Sequence, residues 1–284
     1  LPGVKDPERV RKLLQGTAQL EFWETYEYSN LIGAITEAND FLKEIEVVDT
    51  EDDEIVEEVL VTNEEVLTEE NPILDQLAAD SALTDTTSLT FEQFAAENPL
   101  YGVLYPSLDQ NNQPVQGPVC GRAAVKDTAK VNAYLAMPEV KDLFPRDVQF
   151  AWTVKPYDAE GKFVQLVALR GDSRNKKAAM EGDVITDARQ DFGQFNGSPE
   201  VSMTMNAEGA RAWKRLTGEN IGKSVAIVLD NYVYSFPTVQ AEIAGGRSQI
   251  TGNFTINEAS DLANILKSGK LPAPARIIEE AIVG

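Results

Sequence analysis

Asn206-Ala-Glu-Gly-Ala-Arg-Ala-Trp-Lys-Arg-Leu-Thr-Gly-Glu-Asn-Ile-Gly-Lys-Ser-Val-Ala-Ile-Val-Leu-Asp230 places a helix pattern directly before an all-apolar strand pattern. Asn206 is a preferred N-cap, the helix pattern runs from Ala207 to Leu216, and Gly218 is expected to close it. Val225 to Leu229 has the unbroken apolar character of an interior strand, and Asp230-Asn231 signals a two-residue turn into a second strand, 232–236. Gly245-Gly246 is expected as a turn before a strand at 248–251, because the phosphate-loop pattern is absent; Asn257 is expected to cap a last helix, stopped by Gly269. Two helices and several strands in so short a stretch define a packed α+β unit to which the rest of the chain attaches.

The chain has 284 residues, 43% of them hydrophobic, enough apolar surface for a sizeable core. No window approaches the roughly 18–20 uncharged apolar residues that span a bilayer, so the chain as given is expected to be soluble. The formal net charge is −21, and the acidity is local: no Lys or Arg lies between Glu44 and Gly121, where 19 of the 46 acidic residues fall. Such a segment repels phosphate backbones, and the near-neutral remainder has no basic stripe, so no nucleic-acid partner is expected.

Cys120 is the single cysteine, which excludes an internal disulfide, and it is expected as a small buried hydrophobe. The chain has no His, which removes the usual general base and the commonest metal ligand. The alternating Asp49, Glu51 and Asp53 lack the glycine and terminal Glu of a calcium loop. No catalytic, metal or cofactor-binding residue is assigned.

Along the chain, Asp6-Pro7 opens a short helix ending at Gly16, 17–28 alternates as a half-buried strand, and 30–45 repeats apolar residues at helical spacing. Residues 49–70 read as an acidic, flexible excursion. Helical pieces follow at 72–98, loop with short strands at 99–121, and a helix capped by Asp127; 147–154 and 163–169 form a hairpin. Strands resume at 184–192 and 201–205.

Asn220-Ile-Gly-Lys223, Ser235-Phe-Pro237, Ile250-Thr-Gly-Asn-Phe254, Glu258-Ala259, Asp261-Leu-Ala263 and Leu266-Lys-Ser-Gly-Lys-Leu-Pro-Ala-Pro274 resemble the closing half of the first large extracytoplasmic loop of the SecD family, including its fused SecDF members. Gly182-Asp-Val-Ile-Thr-Asp-Ala188 and the stretch 10–22 fit the same loop. The resemblance implies an α+β fold with a discontinuous, ferredoxin-like base subdomain, 1–28 plus 178–284, carrying an inserted, acidic mixed α/β head subdomain, 30–175. It implies a soluble fragment of a multi-pass protein on the periplasmic face of the inner membrane, assisting proton-motive-force-driven export. Its implied partners are the unfolded preprotein, and SecF and the Sec translocon channel through membrane parts that this sequence does not include. The proton-conducting residues of the family lie in those membrane parts, so none is carried over. Two alternatives from other classes stay open: an extracytoplasmic binding or adhesion module, and a two-carboxylate glycoside hydrolase.

A grip on unfolded chains calls for sequence-tolerant apolar contacts or open strand edges. Phe91, Phe94, Tyr101, Tyr105, Phe144 and Trp152 are numerous for a segment this acidic, and one or two of them are expected to line such a groove. Tyr28 and Asn30 on the way out of the base, with Gly171 and Gly182 on the way back, are the expected hinge.

Overall fold

The computed structural model describes residues 19–51, 91–158, 160–172, 174–193, 197–251 and 254–268. The helix expected at 6–16 and all but the first three residues of the excursion at 49–70 lie outside them. In chain order the elements are β1 (Leu20–Thr25), a 3-10 turn (Tyr28–Asn30), α1 (Ile32–Glu51), α2 (Phe91–Glu97), β2 (Tyr105–Pro106) and β3 (Val119–Ala124). Then come α3 (Thr128–Ala136), α4 (Pro138–Asp142), β4 (Val148–Thr153), β5 (Phe163–Arg170), β6 (Met180–Glu181), β7 (Ile185–Phe192) and β8 (Pro199–Met205). The series closes with α5 (Ala207–Glu219), β9 (Val225–Leu229), β10 (Tyr232–Ser235), β11 (Arg247–Ile250) and α6 (Ile256–Ser268).

The described residues fall into two units. The larger takes those up to Leu31, Ser107–Arg122 and those from Pro145 onward; the smaller takes those within Ile32–Pro106 and Ala123–Phe144. This differs from the expected division at 107–122 and 145–177, and the reason is strand pairing. β4 and β5 form the expected antiparallel hairpin, and β5 then pairs with β1 through Glu24↔Arg170 and Thr25↔Leu169. β1 pairs with β9 (Leu20↔Leu229, Phe22↔Ile227), β9 with β10, and β10 runs parallel to β4. In place of a single open ferredoxin-like layer, five strands therefore close into a ring.

The period of two along β1 and β9 serves two cores at once. Trp23, Ala226 and Val228 point into the ring with Ala151, Val167, Leu169 and Val233. Leu20, Phe22, Val225, Ile227 and Leu229 point outward into a second core with Met203, Trp213, Leu262 and Leu266. Every residue of β9 is buried as a result, which is why its sequence is an unbroken apolar run. Phe22 meets Trp213 edge to face, ring centroids 5.2 Å apart.

The second core is completed by a three-stranded antiparallel sheet, β11-β8-β7, with α5 and α6. Asn206 caps α5 as expected, its side chain accepting from Gly209 N–H at 2.8 Å, but the helix runs past Gly218 to Glu219. The turn at Asp230-Asn231 takes φ of 51° and 67°, the left-handed pair of a tight hairpin. Asn257 is not the cap of α6. Thr255 and Glu258 form a reciprocal capping box there, Glu258 N–H donating to Thr255 Oγ1 and Thr255 N–H to Glu258 Oε2.

In the smaller unit α1 continues beyond its expected end at 45, because Glu46, Val47 and Val48 contain no helix breaker; residues 49–51 of the expected excursion are its last turn. Asn39, on its buried face, accepts from the N–H groups of Leu100 and Tyr101 and donates to Asn98 Oδ1 at 3.2 Å, tying α1 to the turn after α2. α3 follows a 3-10 turn, and Asp127 makes no capping bond; the Thr128 hydroxyl donates to Val125 O instead.

Candidate functional site

Among the described residues no group of His, Cys, Asp and Glu side chains is placed to hold a metal ion. Cys120 is buried, and burial pushes its thiol up to about 12. A thiol so rarely ionised is no nucleophile at neutral pH.

One polar cluster lies where β1 and β5 end and β4 begins. Tyr26 Oη donates to Asp147 Oδ1 at 2.6 Å, Arg170 Nε stands 3.5 Å from Asp147 Oδ2, and the Arg170 guanidinium lies over the Tyr26 ring. Burial, then the Asp147 contact, pushes the Tyr26 phenol up to about 12. Burial opposes ionisation of Asp147, yet the Tyr26 hydroxyl, a backbone N–H and Arg170 together outweigh it and hold the carboxyl below its ordinary value. These contacts make the cluster a clasp between the strands.

The six aromatic candidates divide between the units. Trp152 is buried on β4 in the larger unit, and Phe144 is buried in the smaller. Phe94, Tyr101 and Tyr105 are half-buried, Tyr101 held by a 2.9 Å bond to Thr36 Oγ1. The side chain of Phe91, at the start of α2, lies outside the described set. Of the hinge candidates, Tyr28 and Asn30 stand next to the first crossing between units, although Tyr28 is buried and donates its N–H to Gly117 O. Gly171 and Gly182 lie inside the larger unit, away from its boundaries with the smaller one. A Cβ on Gly182 would stand 2.6 Å from Leu20 Cβ, and one on Gly171 2.9 Å from the Lys176 backbone.

Among the described residues the exposed large apolar side chains are others: Leu108, Val115, Tyr157, Phe192, Ile221, Tyr232 and Ile256 on the larger unit and Val125 on the smaller. Phe192 and Ile256 share one end of the three-stranded sheet. Phe192 faces Pro199, Gln190 faces Val201, and Val201 faces Ile250, six residues before Ile256 opens α6. Sequence offered one weak signal, an Ile set between Thr255 and Asn257 at a helix start, where no inward face has yet begun.

Two observations fix how the edge of this sheet is oriented. Pro199 has no N–H to exchange with Phe192, and the neighbouring bond runs from Gly193 N–H to Ser198 O. On the other side of β8, Met205 N–H donates to Gly246 O. Both assign Asp187, Arg189 and Asp191 to bonding with β8, which turns the N–H and C=O groups of Ala188 and Gln190 away from it. Among the described residues, no strand pairs with that outer side of β7.

A family model for the SecDF P1 head subdomain matches residues 168–273. Its subdomain name thus attaches to the part of the chain expected as the base. The chain is 43% identical over 288 residues to the protein translocase subunit SecD of Rhodothermus marinus, covering 100% of this chain and 41% of that protein. It is 43% identical over 110 residues to the SecD of Syntrophobacter fumaroxidans, covering 39% of this chain and 21% of the relative. Among solved structures, SecDF in its super-membrane-facing form aligns over 98% of this chain and 23% of that one, at 23% identity and a TM-score of 0.36. The chain therefore spans less than half the length of the curated relatives it matches. No helix among its described residues is long and apolar enough to cross a membrane.

Proposed function

We propose that the chain, which is similar along its whole length to a protein translocase subunit SecD, is the first large extracytoplasmic domain of such a subunit and assists export by binding or moving the emerging unfolded preprotein. The observation that carries this is the 43% identity to a protein translocase subunit SecD along the whole of the chain. On this reading the domain works by binding, and the coupling to proton flow belongs to membrane segments outside this sequence. Its partners are the preprotein, SecF and the translocon channel, and its place is the periplasmic face of the inner membrane.

The surface chemistry supports the same reading. Exposed apolar side chains and an open strand edge give contacts that tolerate any sequence, which a binder of many unfolded chains requires. The test is site-specific crosslinking from the larger unit to a stalled secretory precursor, in the full-length protein. Adducts that form during export and vanish when the precursor is released support the role. An export-active protein that yields no adduct from any exposed position of either unit refutes it.

A further inference from the structure

The geometry points to the outer edge of β7, beside α6, as the seat of one extended polypeptide segment; this deepens the function proposed above and rests on it. Ala188 and Gln190 present their N–H and C=O groups outward, repeating at roughly 6.8 Å, twice the rise of an antiparallel strand. An extended backbone is the occupant that offers complementary groups at that spacing, so the edge specifies a polypeptide whatever its side chains.

The template is held in place. Ala188 is buried in the same core as Ala259, Leu262, Ala263 and Leu266 of α6, and Lys267 Nζ lies 3.4 Å from Asp187 Oδ1 at the start of the strand. Charges blunt part of the edge: Asp191 accepts the N–H of Phe192 at 2.9 Å and pairs with Arg189. Pairing is thereby limited to the stretch around 188–190. Beyond it the edge ends at Phe192, 49% exposed, with Ile256, 55% exposed, at the same end of the sheet. A strand added to β7 would lay its apolar side chains against these two. Main-chain bonds would supply general affinity and the apolar end a preference for segments containing aromatic or aliphatic residues.

The test uses the whole chain and a reduced, carboxymethylated protein that cannot refold as the probe. A photoreactive side chain at Gln190 is compared with one at Gln249, on the opposite edge of the same sheet, and amide exchange is followed at Ala188 and Gln190. The proposal expects adducts at Gln190 and slowed exchange at both amides. It also expects affinity to fall by about fivefold or more when Phe192→Asp and Ile256→Asp are combined. Both sites are exposed, and an unchanged melting temperature certifies the fold of the variant. Adducts confined to Gln249, or affinity unchanged in the folded double variant, overturn the site and leave the proposed function standing. No binding of the probe by the unaltered chain overturns both.

Discussion

The Tyr26 hydroxyl donates to Asp147 across 2.6 Å, joining the end of β1 to the start of β4 at the point where β5 completes the ring. The bond is charge-assisted and half-shielded from water, so Tyr26→Phe is expected to cost about 1–2 kcal/mol and to lower the melting temperature by several degrees. Denaturant unfolding of the two proteins measures it. Equal midpoints would show that the clasp adds nothing to ring stability.

The same pair sets a pH dependence at both ends of the scale. Asp147 is held below its ordinary value, so its contribution is present above about pH 4, the unfolded carboxyl pKa, and is lost as the pH falls through the lower folded value. Tyr26 is raised to about 12, so its contribution is full below about pH 10 and is lost as the pH rises through the folded value. Asp147→Asn should flatten the acid limb of a plot of melting temperature against pH. A variant with the same acid slope as the parent would remove Asp147 from the account.

Glycines that look alike in sequence should behave in opposite ways. Gly182 stands where a Cβ would come within 2.6 Å of Leu20, a fully buried side chain shared with the second core. Gly33 lies in α1 with nothing within 4 Å of the same atom. Gly182→Ala is expected to destabilise by about 1–3 kcal/mol through overpacking, and Gly33→Ala to stabilise by up to about 1 kcal/mol through helix propensity. Chemical denaturation reads both, and a neutral Gly182→Ala would mean that Leu20 moves aside freely.

Local chemistry was legible where the determinant is local. Asn206 as cap, Asp230-Asn231 as turn, and β4 with β5 as a hairpin follow from neighbouring residues alone. The alternation in β1 was legible too, but not that both of its faces are buried, because the ring closes through Glu24 and Arg170, 146 positions apart in the numbering. Trp152, a candidate binding side chain, is buried on β4, and Gly182 packs against Leu20 of the second core, contacts between residues far apart in the chain that no local pattern encodes. Phe192 and Ile256 escaped notice for the converse reason. Phe192 ends a strand pattern and Ile256 precedes a helix pattern, and only the termination of the sheet and the start of α6 leave them exposed.

Inside the ring, Trp23 is the direct cross-strand partner of Ala226, and its indole N–H donates to Glu21 Oε2 at 2.9 Å. An interior closed by five strands has room for one large side chain only where its neighbours are small, and Ala151 and Ala226 are both buried against that core. Ala226→Leu should therefore overpack the ring and cost about 1–3 kcal/mol, while Trp23→Leu leaves a cavity and costs about 2–4 kcal/mol. Combined, the added leucine occupies part of the space the indole vacated, so the double variant should be more stable than the sum of the singles predicts. A coupling of at least about 0.5 kcal/mol is expected for side chains in contact. Additive losses in equilibrium denaturation would show that Trp23 and Ala226 do not compete for one interior and that the ring is wider than its packing implies.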